Sequence, residues 1–261
     1  MRPRNESICM MPWVNVYQTP DGHVSACCVN NPSSATNIPN KIKSSNLMDL
    51  VNSPFLKKLR KDMIAGVKNE SCSICYDVEK YSDQSWRTGS FDQFKNDVHL
   101  IDITNEDGSI NPEDFKLRYF DIRNSNLCNY KCRTCNEGFS SQWEVENKKH
   151  NPGDMIPHLI INNADLLNFK DSNLLEMVKD QIKNIQVAYF AGGEPMMNEM
   201  HYMILEEFIR QGRTDINLIY ATNLSQLGLK HYDVLDMWSK FNKKPDICGS
   251  IDHIKERAEY I

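Results

Sequence analysis

Leu117-Arg-Tyr-Phe-Asp-Ile-Arg123 decides the fold of this chain together with the loop that follows it, Leu127-Cys-Asn-Tyr-Lys-Cys-Arg-Thr-Cys135. The first stretch is apolar, aromatic and β-branched, which predicts a buried strand. The second stretch carries three cysteines in a C-x3-C-x2-C pattern at the carboxyl end of that strand. Loops at strand ends are where α/β folds place their chemistry, so we expect an α/β domain with a metal site there.

Strands and helices are predicted to alternate beyond this point. We predict strands at 117–123, 185–191, 216–222 and 246–251, and helices at about 141–149, 172–183, 199–211 and 232–241. Ser141 and Glu144 have the spacing of a capping box for the first of these helices. The alternation predicts a parallel sheet with right-handed crossovers.

Length and composition suggest two domains in a cytoplasmic protein. The chain has 261 residues and a net charge of -5, so no strong positive field draws it to nucleic acid or anionic lipid. The apolar stretch 8–16 is too short and too broken for a signal peptide or a membrane span. Without a secretory signal, nine cysteines point to metal binding instead of disulfides. We expect a cysteine-rich domain at 1–95, a linker at 96–114 and the α/β domain at 115–261.

The cysteine triplet offers a metal cluster three thiolates and no fourth. Cys128, Cys132 and Cys135 could anchor a 4Fe-4S cluster and leave one iron open to a small ligand. A zinc site completed by a remote residue, or three structural thiols, are the alternatives.

A second motif, Gly192-Gly-Glu-Pro195, stands at the end of the next predicted strand. Paired glycines let the backbone turn sharply and approach a ligand closely. Glu194 adds a carboxylate that could accept from an ammonium group. The alternative is a plain strand-to-helix turn, in which Pro195 precedes a helix start.

These motifs occur in the order typical of the radical S-adenosylmethionine superfamily, which residues 115–261 resemble. Ala221-Thr-Asn223 and Ser250-Ile-Asp252 extend the resemblance after the third and fourth strands. The resemblance implies a partial (β/α)6 barrel of the TIM type. It also implies a 4Fe-4S cluster that binds S-adenosylmethionine and cleaves it reductively, so that hydrogen is abstracted from a substrate.

The resemblance also implies site residues, taken position by position. The cluster ligands are Cys128, Cys132 and Cys135, and the element that binds the cofactor's methionyl group is Gly192, Gly193, Glu194 and Pro195. Thr222, Asn223, Ser250 and Asp252 are expected near the ribose or the substrate. Only four barrel strands are evident, and we expect a barrel truncated at its C-terminal end.

A third cysteine group lies near the N-terminus. Cys9-Met-Met-Pro-Trp13 and Gly22-His-Val-Ser-Ala-Cys27 resemble the twitch domain, the shorter relative of the SPASM domain that binds auxiliary iron-sulfur clusters. Residues 17–24 are predicted to form a hairpin with its turn at 20–22. We expect Cys9, Cys27, Cys72 and Cys75 to bind a second 4Fe-4S cluster, with Cys28 as a substitute for Cys27 and zinc as the alternative metal.

Three further expectations concern side chains outside these motifs. Lys57, Lys58, Arg60 and Lys61 are predicted to form a solvated helix face opposite an apolar one, with a phosphate-binding patch as the alternative. Cys248 is predicted to be a buried small hydrophobe. Trp143 and Tyr130 could line the cofactor pocket, although core packing is the alternative.

Two functions from different classes are consistent with the sequence. The first is a radical S-adenosylmethionine enzyme that acts on a peptide or protein and takes electrons from a reductant protein, with no nucleic acid or membrane as partner. The alternative is a non-catalytic zinc or iron-sulfur protein, or an inactive truncated fragment.

Overall fold

The computed structural model describes residues 5–20, 22–31, 44, 46–123, 125–150 and 172–251. The chain divides into two compact units. The first comprises Met1–Tyr17 and His23–Phe120, and the second comprises Gln18–Gly22 and Asp121–Ile261. The segment 96–114, expected as a linker, falls within the first unit.

The described residues up to 118 are mainly helical. Its helices are α1 (Met11–Val14), α2 (Leu47–Val51), α3 (Pro54–Ile64), α4 (Ser73–Val78), α5 (Trp86–Gln93) and α6 (His99–Asp102), with 3-10 turns at Glu70–Cys72 and Lys95–Asp97. Strands β1 (Asn15–Gln18) and β2 (Val24–Ser25) neighbour each other in the sheet, as the hairpin prediction requires. Gly22 closes the connection, because its N–H donates to the Thr19 carbonyl at 2.9 Å and its φ of +89° suits glycine.

Helix α3 corrects the prediction of a solvated basic face at one residue, Arg60, since Lys57, Lys58 and Lys61 are exposed or partly exposed as expected. Arg60 is fully buried and donates to three backbone carbonyls, those of Gly108, Pro12 and Val51. The physical reason is that a guanidinium carries five N–H donors in a fixed fork and can satisfy several buried carbonyls at once. Burial lowers the pKa of Arg60 to about 9.

The second half alternates strands and helices as predicted. The strands are β3 (Tyr119–Ile122), β4 (Val187–Phe190), β5 (Asn217–Thr222), β6 (Gly228–Leu229), β7 (Tyr232–Asp233) and β8 (Asp246–Gly249). The helices are α7 (Ser141–His150), α8 (Ser172–Val178), α9 (Glu199–Arg210) and α10 (Val234–Ser239). The helix expected over 172–183 changes at residue 179 into the 3-10 turn Lys179–Asn184. The β6–β7 hairpin was not predicted.

Six strands form one sheet in the order β2-β1-β3-β4-β5-β8. Strand β4 pairs parallel with β5, and β5 pairs parallel with β8, with Thr222 opposite Gly249. The carboxyl ends of β4, β5 and β8 therefore meet at one edge, where β5 ends at Thr222 and Gly192 and Ser250 follow β4 and β8. The result is a mixed α/β fold with a mostly parallel sheet, and the described residues do not form a closed barrel.

The outermost described strand corrects one prediction. All four residues of β8 are exposed, and Cys248 is exposed with them. An apolar sequence alone suggests burial, but an edge strand is covered only on the side where it pairs. Among the described residues, no helix is both long enough and apolar enough to cross a membrane.

Candidate metal centres

Four cysteines of the first unit converge on one small cavity. Cys9 precedes α1, Cys27 follows β2, Cys72 ends a 3-10 turn and Cys75 lies in α4. All four line this cavity, which we call the N-terminal cysteine cavity, together with Pro12, Ala26, Val29, Asn30, Met63, Trp86 and Arg87. Cys28 is exposed and is not among the lining residues, so Cys27 is the one of the pair that faces the cavity.

Burial keeps these thiols protonated when no metal is bound. It raises the pKa of Cys9 to about 11 and that of Cys72 to about 12, and it raises those of Cys27 and Cys75 as well. The cysteines also raise one another's pKa, because neighbouring thiolates repel. A cation of high charge would reverse this and release the protons on binding.

Polar groups around the cavity already point at its sulfur atoms. The Cys9 Sγ lies 3.3 Å from the Ser90 hydroxyl, and the Asn30 side-chain amide donates to the Cys72 Sγ at 3.3 Å. Backbone N–H groups of Trp86 and Arg87 hydrogen-bond to Cys75. The Asn30 side-chain oxygen is buried without a partner among the described residues. Four thiols with donors directed at them fit the ligand set and surroundings of an iron-sulfur cluster.

The second unit holds the other cysteine triplet at the strand edge. Cys128, Cys132 and Cys135 lie on the loop after β3 and are each partly exposed. Helix α7 supports this loop, since the Trp143 indole N–H donates to the Cys132 carbonyl at 3.0 Å. The Ser140 hydroxyl likewise donates to the Tyr130 carbonyl at 2.6 Å.

The start of α7 corrects the predicted capping box. The Ser141 hydroxyl contacts the backbone of Cys128, where it lies 3.2 Å from both the nitrogen and the oxygen. Ser140 takes the capping role instead, because its hydroxyl accepts from the Trp143 N–H at 3.5 Å. The Glu144 carboxylate accepts from the side chains of Asn126 and Lys148. Ser141 therefore holds the cysteine loop and does not cap α7.

Gly193 brings the Gly-Gly-Glu-Pro turn into direct contact with the cysteine loop. A Cβ on Gly193 would lie 2.1 Å from the Leu127 carbonyl oxygen, a distance no side chain can occupy. Gly192 has a φ of +124°, which also favours glycine. The Gly193 and Glu194 N–H groups donate to the Ser125 and Leu127 carbonyls at 3.2 and 2.7 Å.

The Glu194 carboxylate is buried and accepts three hydrogen bonds from the chain itself. One oxygen accepts from the Thr222 hydroxyl at 2.7 Å and the Met196 N–H at 3.2 Å, and the other accepts from the Asn223 N–H at 2.7 Å. This arrangement ties the end of β4 to the end of β5. Pro195 then opens the 3-10 turn Pro195–Met197, as a proline at a helix start does.

Asn223 connects the end of β5 to the cysteine loop. Its side-chain amide lies 3.8 Å from the Cys128 Sγ and donates to the Asn129 side chain at 3.0 Å. Ser250 follows β8, and its N–H donates to the Thr222 carbonyl at 2.8 Å. Asp252 lies outside the described residues. Cys128, Gly193, Glu194, Thr222, Asn223 and Ser250 are thus linked by direct contacts at one edge of the sheet. Together with Cys132 and Cys135 on the same loop as Cys128, they form what we call the strand-edge site.

Two aromatic residues on or beside the cysteine loop, Tyr130 and Trp143, are not core residues. Tyr130 is 45 % exposed, and Trp143 is half-buried with its indole nitrogen bonded to the cysteine loop. The core-packing alternative is therefore wrong for Tyr130, because a loop residue between two cysteines is held at the surface with them.

Sequence reasoning missed several polar residues at both centres. Asn30, Arg87 and Ser90 surround the N-terminal cysteine cavity, and Asn126 and Ser225 support the strand-edge site. Ser85 and Thr88 form a reciprocal cap that starts α5 soon after Cys75, and this spacing was a usable signal for that helix. Although four cysteines line the N-terminal cysteine cavity, no three or more His, Cys, Asp or Glu side chains of the described residues are gathered so as to hold a single metal ion.

One comparison with known proteins bears on the first centre. Residues 9–77 match the family model of the SPASM iron-sulfur cluster-binding domain. The matched segment contains Cys9, Cys27, Cys72 and Cys75, so the expectation of a domain of the SPASM and twitch kind at the N-terminus is confirmed. The match indicates iron-sulfur binding in the first unit. No curated protein and no solved structure matches the chain significantly.

Proposed function

We propose that this protein is a radical S-adenosylmethionine enzyme that acts by hydrogen abstraction on a peptide or protein. The observation that carries the proposal is the strand-edge site, where the cysteine loop and the Gly-Gly-Glu-Pro turn are in backbone contact. The SPASM match supports it, because this domain is found in radical S-adenosylmethionine enzymes.

The residues of the strand-edge site fit a cluster with one open iron. Three thiols on one short loop supply three ligands and no fourth, and their partial exposure leaves access for a small ligand. When bound, such a cluster supplies one-electron reduction of S-adenosylmethionine. We assign Cys128, Cys132 and Cys135 as its ligands in this proposal.

The remaining residues of the strand-edge site would position the cofactor. Gly192 and Gly193 bring the backbone close enough to the cysteine loop for a ligand to touch both. Glu194 fixes the ends of β4 and β5 through its three hydrogen bonds, and this keeps Thr222 and Asn223 in place. Asn223 and Ser250 are then available to orient the ribose or substrate, whereas the buried Thr222 hydroxyl already bonds to Glu194 and to the Leu224 N–H and supports the site from below. A reductant protein would supply the electrons.

In the first unit, we propose that Cys9, Cys27, Cys72 and Cys75 bind a second 4Fe-4S cluster with no open position. The four thiols, of which Cys9, Cys27 and Cys75 are buried and Cys72 is partly exposed, fit such a cluster in number and in chemistry.

Anaerobic reconstitution tests the proposal. We expect a brown protein that absorbs near ~400 nm and holds about eight irons per chain, and one that produces 5'-deoxyadenosine after addition of dithionite and S-adenosylmethionine. Replacing Cys128, Cys132 and Cys135 by alanine should remove about four irons and all of the 5'-deoxyadenosine. Cys248→Ala is the matched control, since this exposed cysteine lies outside both sets and should change neither value.

A colourless protein that holds only zinc after reconstitution would refute the proposal. It would favour the non-catalytic metal protein instead. A brown protein with about eight irons that never forms 5'-deoxyadenosine would refute the catalytic part alone.

A further inference from the structure

Helix α5 contains no cysteine and begins beyond the segment 9–77 that the SPASM model matches, yet it borders the N-terminal cysteine cavity. Three of its residues reach the cavity or its sulfur atoms. The Ser90 hydroxyl lies 3.3 Å from the Cys9 Sγ, the backbone N–H groups of Trp86 and Arg87 bond to Cys75, and the Arg87 side chain lines the cavity.

We propose that α5 sets the reduction potential of the auxiliary cluster, with Arg87 as the principal positioning residue and Ser90 as a second. The inference rests on the proposed second cluster in the first unit, and it adds an element whose role the family match does not assign.

The hydrogen bonds supply the first argument. A cluster bound by four thiolates gains negative charge when it is reduced. Donors directed at its sulfur ligands stabilise that charge and so raise the reduction potential. The first N–H groups of α5 are such donors for Cys75. The Ser90 hydroxyl donates to the Arg87 carbonyl at 2.9 Å and lies 3.3 Å from the Cys9 Sγ, so it can turn its hydrogen to that sulfur once the thiol has lost its proton.

The position of Arg87 supplies the second argument. Its side chain is only 6 % exposed, and its Nη1 donates to the carbonyl of Ile8, the residue before Cys9, at 3.0 Å. Its Nε and Nη2 donate to the two Glu79 carboxylate oxygens at 2.9 and 2.5 Å, and the Tyr76 ring lies 6.0 Å from the guanidinium carbon. A charge fixed in this way and shielded from water is weakly screened by solvent, so its effect on the cavity is set by the balance between Arg87 and the Glu79 carboxylate that partly offsets it.

Arg87 also separates the cavity from solvent. It lines both the N-terminal cysteine cavity and an open groove of about 1090 Å3 whose other lining residues include Glu79, Asp83 and Lys80. Solvent exposure is a further determinant of cluster potential. Arg87 therefore lies where the cavity and the groove meet, and Glu79 holds it there from the groove side.

The test is a redox titration followed by electron paramagnetic resonance on the full chain. All variants are made in a background protein that carries Cys128→Ala, Cys132→Ala and Cys135→Ala, so that the signal comes from the auxiliary cluster alone. We expect Arg87→Gln to lower the midpoint potential by at least about 59 mV, a tenfold change in the reduction equilibrium of a one-electron couple.

Three further variants sharpen the test. Ser90→Ala should lower the potential in the same direction, Arg87→Lys should restore part of the loss, and Glu79→Gln should raise the potential by removing a negative charge. Lys80→Gln is the matched control, since Lys80 lines the same groove but is 65 % exposed, and its loss should leave the potential unchanged.

Iron content separates the outcomes. If Arg87→Gln and Ser90→Ala keep the background's iron and its potential, the proposal is overturned. If Arg87→Gln loses iron, the other two variants test the proposal. A lower midpoint potential in Ser90→Ala and a higher one in Glu79→Gln would support it, and shifts of any other sign would overturn it. If the background protein takes up no iron, the auxiliary cluster and this inference fail together. If the background protein takes up iron but the variants leave the midpoint potential unchanged, the auxiliary cluster stands and only the role of α5 is refuted.

Discussion

At the scale of single residues, Arg60 is a buried charged side chain that satisfies buried backbone carbonyls. Its guanidinium is fully buried in α3 and satisfies the carbonyls of Pro12, Val51 and Gly108. Each of these acceptors would otherwise be buried without a partner, at a cost of about 1–3 kcal/mol. The side chain therefore joins α1, α2 and the 105–112 stretch around α3.

We predict that Arg60→Met lowers the free energy of unfolding by about 3 kcal/mol, because methionine fills similar space but leaves the carbonyls unsatisfied. Chemical denaturation followed by circular dichroism measures the change. Lys61→Met on the same helix is the control, since Lys61 is exposed and its replacement should cost less than about 0.5 kcal/mol. Equal effects of the two substitutions would contradict the role given to Arg60.

Gly193 is the second residue whose identity is dictated by its neighbours. The Leu127 carbonyl oxygen and the Asn126 carbonyl carbon lie 2.1 and 2.7 Å from the place where a Cβ would stand. Both are backbone atoms, so the cysteine loop itself must move to admit any side chain.

Gly193→Ala should therefore destabilise the protein by about 1–3 kcal/mol and reduce iron binding at the strand-edge site. Iron content and thermal unfolding of the reconstituted protein measure both effects. Gly89→Ala in α5 is the control, because a Cβ there meets no atom within 4 Å and should stabilise the helix by about 0.5–1 kcal/mol. A Gly193→Ala protein with full iron and unchanged stability would show that the close contact is not required.

At the scale of elements, α9 packs onto the sheet through an aromatic cluster. His201 of α9 lies fully inside it, with its Nε2 2.8 Å from the Tyr220 hydroxyl of β5 and its ring 4.9 Å from that of Phe190 on β4. Burial lowers the pKa of His201 to about 3, because a charged imidazole has no compensation there. The packing of α9 on β4 and β5 thus requires a neutral histidine.

This requirement predicts a loss of stability in acid. The folded-state pKa lies below the unfolded value of about 6.5, so the unfolded chain binds one more proton between these values. The free energy of unfolding should fall by about 1.4 kcal/mol per pH unit as the pH drops below about 6.5. Urea unfolding of the wild type and of His201→Gln across this range isolates the contribution as the difference between their slopes. Parallel pH profiles for the two proteins would disprove it.

At the scale of the whole molecule, the two cysteine sets belong to different compact units. Cys9, Cys27, Cys72 and Cys75 lie in the first unit, and Cys128, Cys132 and Cys135 lie in the second. Each set is held by its own neighbours, Ser90 and Asn30 in one case and Trp143 and Asn223 in the other.

The two centres should therefore load with metal independently. We predict that replacing Cys72 and Cys75 by alanine removes about four irons and leaves about four, and that adding the strand-edge replacements removes the rest. Iron analysis and Mössbauer spectroscopy of the single and combined variants give the counts. Loss of all iron from the Cys72 and Cys75 variant would show that the centres are coupled.

Much of the second half was readable from the sequence because hydrophobic periodicity reports local structure directly. The four predicted strands match β3, β4, β5 and β8 within about two residues at each end. The first half was less readable, since its short helices α4, α5 and α6 carry weak apolar patterns and depend on packing. Arg60 was expected to be exposed and is buried, whereas Cys248 was expected to be buried and is exposed. Both predictions were wrong for the same reason, because burial depends on which elements cover a residue.

The sequence by itself determined the residue types and the spacing of the two cysteine sets, the strand and helix alternation, and the glycines before Glu194. These are local properties, set by covalent order and by the side chains of neighbouring residues. Only the tertiary structure decided which distant groups meet: the Gly193 backbone with Leu127, Glu194 with Thr222 and Asn223, and α5 with Cys9 and Cys75. Such contacts arise from chain segments packed to satisfy buried polar groups, and no local pattern encodes their partners.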